Sequence, residues 1–326
     1  MRRYLVASLV ITLSLACVSA SGPNGPVALP VPQAPPAAAV PLPNRDGSLK
    51  FAVLGDFGTG SRQQYELAAQ MAALRERFPF ELVVTVGDNI YGSDTPDSYR
   101  RRFEEPYKAL LDGGVKFYAS LGNHDAREQR FYKPFNMEGR EYYSFKAAQQ
   151  DVRFFALESD YLDLEQITWL EKELQRAGEA WKIAYFHHPI YSSGRRHGSD
   201  SEVRRILEPL FVKYNVSVVL AGHDHFYERI KPQNGIVHFV VGSGGQLRRG
   251  NIDRSSTLTA SGFDTDQVFL AAEIHGDEMF FNAISRSGQI VDSGIIVRRR
   301  QMTQQEDHDF AALFSRGQRA AVPARP

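Results

Sequence analysis

The sequence predicts an α/β protein built from two stacked mixed β-sheets with helices outside. Three observations lead there. Apolar strand-like runs alternate with amphipathic helical stripes from residue 50 to about 220, the pattern of α/β packing. After His225, strand-like runs succeed one another with no helical stripe between them, so the chain closes in an antiparallel or mixed sheet. Five short polar blocks each stand directly behind an apolar run, which is where an open α/β sheet places its ligand chemistry.

Taken in order, residues 1–20 read as a targeting segment, with Arg2-Arg3 ahead of an apolar stretch from Leu5 to Ala16 that is short for a membrane span. Two processing sites compete. Val18-Ser19-Ala20 fits ordinary signal cleavage. Ser14-Leu15-Ala16-Cys17 resembles a bacterial lipobox, although serine replaces the usual leucine, and Cys17 is the single cysteine of the 326 residues. Both imply export, as a periplasmic or cell-surface lipoprotein attached through lipidated Cys17 or as a secreted protein. Neither leaves a disulfide in the mature chain. Residues 21–46 read as a linker, because eight of the 17 prolines lie between Pro23 and Pro43 and such a stretch extends by about 3 Å per residue.

The folded domain is expected over 47–298. Strand-like runs cover 50–54, 81–86, 115–119, 152–157, 181–186 and 216–220. Between them, Leu67, Met71, Leu74 and Phe78 mark a helix over 61–77. Further stripes run through Tyr99, Phe103, Tyr107 and Leu110, through Ile167, Leu170, Leu174 and Ala177, and through Val203, Ile206, Leu210 and Tyr214. Asp163 with Gln166 reads as a capping pair opening the third helix. Residues 236–241, 267–274, 279–284 and 294–297 read as the closing strands, and the polar tail 299–326 is expected to fray. Formal net charge is zero, so no global basic field points to a nucleic-acid partner.

The five blocks are Gly55-Asp56-Phe57-Gly58, Gly87-Asp88-Asn89-Ile90-Tyr91, Gly122-Asn123-His124-Asp125, Phe186-His187-His188-Pro189 and Gly222-His223-Asp224-His225. Singly, each is ordinary strand-to-turn punctuation. Jointly they collect carboxylate, amide, imidazole and phenol donors and no sulfur, a set suited to iron, zinc or manganese. Six of the nine histidines lie in or close behind them.

In this order the blocks resemble the calcineurin-like metallophosphoesterases, and specifically the purple acid phosphatases. Most of that superfamily carries Asp-x-His in the first block. Here Gly58 holds the histidine position and Tyr91 follows the second aspartate, the exchange that marks the purple branch. The resemblance implies an α/β/β/α sandwich. It implies Fe(III) held by Asp56, Tyr91 and His225, with Asp88 bridging to a divalent Fe, Zn or Mn on Asn123, His187 and His223. His188 is left to packing or support. His124 and His197 are implied over the phosphate as proton donors.

The function so implied is an exported dinuclear-metal acid phosphatase that hydrolyses small phosphate monoesters through attack by metal-bound hydroxide. A phosphodiesterase or nucleotide hydrolase on the same metals is the alternative, and a non-catalytic surface protein that binds phosphate or a partner is a third reading. Arg195 and Arg196 read either as a grip on a second phosphate or as a solvated pair. Gly242-Ser243-Gly244-Gly245 lacks P-loop spacing and reads as backbone packed beside the metals, and His238 as a core residue.

Overall fold

The computed structural model describes residues 39–300. The residues read as a targeting segment, Cys17 among them, most of those read as a linker, and residues 301–326 lie outside the described residues.

In chain order the elements are β1 (Leu49–Leu54), α1 (Arg62–Arg75), β2 (Leu82–Val86), α2 (Pro96–Tyr99), α3 (Lys108–Asp112), β3 (Lys116–Ser120), β4 (Tyr143–Lys146), β5 (Val152–Ala156), α4 (Leu164–Arg176), β6 (Trp181–Tyr185), α5 (Ser201–Lys213), β7 (Val218–Ala221), β8 (Tyr227–Ile230), β9 (Val237–Val241), β10 (Thr259–Phe263), β11 (Val268–His275), β12 (Glu278–Ser285) and β13 (Ile290–Val297). One sheet has the order β13-β12-β11-β1-β2-β3 and the other β10-β8-β9-β7-β6-β5-β4. Strands β1, β2 and β3 are parallel, as are β5, β6, β7 and β9. Both sheets are therefore mixed, as the sequence predicts, and among the described residues no helix follows α5.

Alternation along the strands builds the layers. Phe154, Ile183, Tyr185, Val218 and Leu220 face the first sheet and join its core. Their neighbours Phe155, Ala184, Phe186 and Val219 face the other way, onto Leu170 and Leu174 of α4 and Leu207 and Phe211 of α5. Phe51 of β1 meets Phe154 of β5 edge-on, with ring centroids 5.3 Å apart. Helix α1 puts Leu67, Met71 and Leu74 into the first core. Every strand that carries one of the five blocks is thus held on both faces.

Four expectations need correction. The stripe from Tyr99 to Leu110 is not one helix. Pro106 has no N–H to donate to the carbonyl four residues back and its ring would clash there, so the chain passes through a π-type turn over Arg100–Glu104 and restarts at α3. The freed carbonyls accept from side chains of α1: Gln64 Nε2 donates to Arg102 O at 2.6 Å and Tyr65 Oη to Arg101 O at 2.9 Å. Second, Asp163 caps α4 through Gln166 N at 2.8 Å, but the Gln166 side chain does not complete a capping box. It is turned to the Glu158 backbone, accepting from its N at 2.8 Å and donating to its O at 3.0 Å. Third, β4, β8 and β10 are strands that the sequence pattern does not mark. Fourth, the end of the stretch read as linker is tied down. Val40 N donates to Ser293 Oγ at 2.8 Å, and the N–H groups of Asn44 and Arg45 donate to the buried Glu273 carboxylate at 2.6 Å each. At the other boundary Arg299 N donates to Ser217 Oγ at 2.9 Å.

His238 on β9 is buried with both ring nitrogens unpartnered, and burial lowers its pKa to about 3. The unfolded chain protonates this imidazole near the ordinary value of 6.5 and the folded chain does not. Stability is therefore lost as pH falls from 6.5 towards 3, at about 1.4 kcal/mol per pH unit. Urea unfolding of metal-free protein at pH 7 and pH 5 should show His238→Phe losing about 2 kcal/mol less than the parent chain over that interval.

Candidate active site

The five blocks meet at the C-terminal ends of strands from both sheets. Asp56 follows β1, Asp88 and Tyr91 follow β2, Asn123 and His124 follow β3, His187 follows β6, and His223 and His225 follow β7. Asp56, Asp88 and His223 adopt left-handed backbone with φ of 53°, 52° and 67°. Such conformations cost about 1–3 kcal/mol at a non-glycine residue and collect at functional sites. They turn each side chain back across the strand ends.

On one side, donor atoms of Asp56, Asp88 and His225 lie within 4.8 Å of one another. Tyr91 Oη stands 3.3 Å from Asp56 Oδ1 and 3.4 Å from His225 Nε2. On the other side, Asn123 Oδ1 is 3.0 Å from both His187 Nε2 and His223 Nδ1, which are 3.2 Å apart. Asp88 Oδ1 reaches towards both groups, 3.5 Å from His187 Nε2. All seven residues named as ligands from the sequence are brought together.

These residues suit cations. His187 Nδ1 lies 2.9 Å from Val86 O, and because a carbonyl only accepts, that nitrogen carries the proton. Burial lowers the His187 pKa well below the usual value, and that of His223 to about 2, so both rings are neutral. His187 Nε2 then presents a bare lone pair to the Asn123 oxygen, the form in which imidazole binds metal. Burial, followed by the Arg248 charge, lowers His225 to about 4. Burial and the charge of Asp88 raise Asp56 well above the carboxylate range, and burial raises Tyr91. A bound cation reverses both of these last shifts.

Gly58 explains why histidine is absent from the first block. A Cβ there would lie 1.9 Å from Asn89 O and 2.4 Å from Asn89 C. The loop carrying Tyr91 is pressed onto this glycine, and Tyr91 N donates to Gly58 O at 2.9 Å. The missing imidazole and the added phenol are one structural exchange.

Of the implied proton donors, His124 packs its ring 5.0 Å from that of Tyr91 and donates its N–H to Asp88 Oδ1 at 3.0 Å. His197 places its ring 4.2 Å from that of His223. Both are exposed, so this end of the site opens to solvent. His188 lies against the His223 ring at 4.3 Å, with Nδ1 3.0 Å from Ser159 Oγ and Nε2 3.6 Å from Asp160 Oδ1. The glycine-rich turn gives its N–H groups to protein backbone, Gly245 and Gln246 donating to Asp56 O at 3.0 and 2.9 Å. Arg195 is paired with Asp253 at 3.6 Å. A 390 Å³ cavity lined by Arg75, Lys116 and Lys146 lies at the opposite strand ends and holds none of the five blocks.

Asp125 closes the third block and lies outside the ligand set that the sequence implies. Its carboxylate accepts the N–H groups of Asn89, Ile90 and Gly122 at 2.9–3.0 Å, with Asn89 Nδ2 and Gln129 Nε2 both at 2.9 Å. Burial, with Asp88 adding to it, raises its pKa to about 8. Asp125 thereby fastens the loop that bears Asp88 and Tyr91 to the one that bears Asn123. Only its place at the end of Gly-Asn-His-Asp hints at this, since its partners are three backbone N–H groups and two side-chain amides that meet through tertiary packing.

A two-sheet sandwich with carboxylates, imidazoles, an amide and a phenol converging at its strand ends defines a metal-dependent phosphoric ester hydrolase. The chain belongs to the calcineurin-like phosphoesterase family, which it matches over residues 49–227. It is similar to tartrate-resistant acid phosphatase type 5 of Homo sapiens, 23% identical over 304 residues that span 77% of this chain and 92% of the relative. It is also similar to purple acid phosphatase 4 of Arabidopsis thaliana, 26% identical over 277 residues, 73% of this chain and 80% of the relative. Two solved structures share the fold. Purple acid phosphatase PPD1 from yellow lupin superposes with a TM-score of 0.64 at 20% identity, over 81% of this chain and 58% of that one. GAP50, the anchor in the inner membrane complex of Plasmodium, superposes with a TM-score of 0.67 at 21% identity, over 82% of this chain and 95% of that one.

Proposed function

We propose that the chain is an exported, dinuclear phosphatase acting on small phosphate monoesters, with Fe(III) on Asp56, Tyr91 and His225, a divalent Fe, Zn or Mn on Asn123, His187 and His223, and Asp88 bridging. The convergence of these seven side chains, two of them buried carboxylates with no Lys or Arg partner among the described residues, supports the reading most. A phenolate ligand favours a hard trivalent ion, and Tyr91 brings its phenol to that side of the site. When bound, the ions supply Lewis acidity towards the phosphoryl oxygens and make water acidic enough to attack at low pH.

The chain's own residues do the rest. Asp125 and the Gly58 contact keep the ligand loops at fixed separation. His187 is held in its ligating tautomer by Val86 O. His197 and His124, on the open side, orient the ester and give a proton to the departing alkoxide. Export rests on residues 1–20, with Cys17 as the anchor if it is lipidated, and zero net charge favours a small ester over nucleic acid. GAP50 shares the fold and is described as an anchor, but the intact ligand set here favours catalysis over a binding role.

Assay of purified protein against a monoester, a diester and a nucleotide panel tests the reading. Monoesters should be turned over fastest at acidic pH, and a diester or nucleotide preference would replace the phosphomonoesterase assignment. His197→Ala should slow alkyl phosphates by about 10²-fold or more while keeping its metals, and activated aryl esters should lose much less. A uniform loss across both ester types would move His197 from proton donation to phosphate binding. Leaving-group dependence seen in His124→Ala alone would make His124 the donor.

A further inference from the structure

Asp224 stands between two of the candidate ligands and faces away from them. His223 and His225 turn to the site, while the fully buried Asp224 side chain points beneath the loop that carries His197. Its Oδ2 accepts from Ser192 Oγ at 2.6 Å and from Gly198 N at 3.1 Å. Ser192 Oγ in turn accepts from Gly194 N at 3.0 Å. Both ends of the loop are therefore tied to one carboxylate. The loop also lies flat on it, because a Cβ at Gly194 would fall 2.1 Å from Asp224 Oδ2. Asn251 Nδ2 approaches the other oxygen at 3.4 Å.

A second set of bonds closes the outer side of the loop. Arg195 N donates to Asn251 O at 2.9 Å and Asp253 N to Ser193 O at 2.8 Å, while Ser193 N donates to the buried Glu228 carboxylate at 2.8 Å. A buried carboxylate is costly unless its oxygens are hydrogen-bonded, and among the described residues Asp224 has no Lys or Arg ion pair. Its satisfaction comes from the Ser192–Gly198 loop and from Asn251. Arg195, Arg196 and His197 are themselves exposed, and His197 makes no hydrogen bond among the described residues. What keeps its ring over His223 is the anchoring of the backbone on either side.

We propose that Asp224 is the positioning residue for His197: it fixes the Ser192–Gly198 loop so that the imidazole stands over His223, and it touches neither phosphate nor metal. The spacing Gly-His-Asp-His thus joins the ligands to the loop on the leaving-group side through one residue. The catalytic half of this inference rests on the proposed phosphatase function, but the anchoring half is measurable without turnover.

The experiment uses the metal-loaded full chain and the variants Asp224→Ala and Ser192→Ala, the latter lying away from the ligands. In hydrogen–deuterium exchange, amides of residues 192–198 should exchange about tenfold faster or more in Asp224→Ala, and faster to a smaller degree in Ser192→Ala, with metal content retained. On an alkyl phosphate, Asp224→Ala should lower kcat by about 10²-fold with KM little changed, the pattern of His197→Ala. Combining it with His197→Ala should cost little more, because coupled residues are not additive. Unchanged exchange in the loop would overturn the proposal, and so would effects of the two substitutions that multiply. A loop that loosens in Asp224→Ala, together with a wild-type protein that hydrolyses no ester, would uphold the anchoring and bring down the phosphatase reading.

Discussion

Asp88→Ala should abolish metal binding and turnover together. Asp88 Oδ1 stands 3.5 Å from His187 Nε2, and the carboxylate lies with donor atoms of Asp56 and His225 inside 4.8 Å, so it reaches towards both groups of candidate ligands. Removing a residue one layer behind a ligand already costs roughly 10- to 100-fold in affinity or activity; losing the proposed bridging ligand should exceed the upper figure. His275→Ala is the control, since His275 lies exposed at the end of β11 and should be almost silent. Elemental analysis and turnover of both variants check this, and stoichiometric metal in Asp88→Ala would show that the bridge is assigned wrongly. Asp88→Asn should raise the melting temperature of metal-free protein at neutral pH. The Asp88 charge helps to push Asp56 and Asp125 upward. A carboxyl raised in the folded state lowers stability as pH climbs above its unfolded value, and Asn tolerates the left-handed backbone at this position.

Gly58→His, which restores the superfamily's commoner first block, should damage the protein instead of improving its site. Asn89 O occupies the space that any Cβ would need, at 1.9 Å, and backbone, unlike a flexible side-chain tip, cannot step aside cheaply. Overpacking in a well-filled region costs about 1–3 kcal/mol and at times more. This position should lie at or above that range, because the displaced loop also carries Asp88 and Tyr91. Gly58→Ala should already lower the melting temperature and the metal content, and Gly58→His more so. A Gly58→Ala protein with unchanged melting and full metal would refute the close-packing account.

Much of this was legible in the sequence because alternating patterns and strand-end motifs are local. The runs around Phe51, Val84, Phe154 and Ile183 are apolar on both faces, as strands buried between layers must be, and each candidate ligand follows an apolar run within five residues. Elements whose residues serve tertiary partners were hidden. In β8, Glu228 breaks the apolar pattern because it is buried to hold Ser193 N and the Thr259 hydroxyl. In β10, Ser261 and Gly262 give no strand signal, and the strand exists by pairing with β8. Pro106 was visible, yet the apolar spacing from Tyr99 to Leu110 masked the break it makes. Asp125 and Asp224 stood in the motifs, but their roles depend on N–H and O–H groups that only the fold brings to them.

The central claim, a tyrosine-ligated iron beside a second metal, is tested most directly by metal analysis together with the visible absorption spectrum of the oxidised protein. The expected result is two metals per chain, at least one of them iron. A pink-to-purple charge-transfer band should accompany them and vanish in Tyr91→Phe while the fold persists. A colourless wild-type protein with two zinc ions and full activity would contradict it.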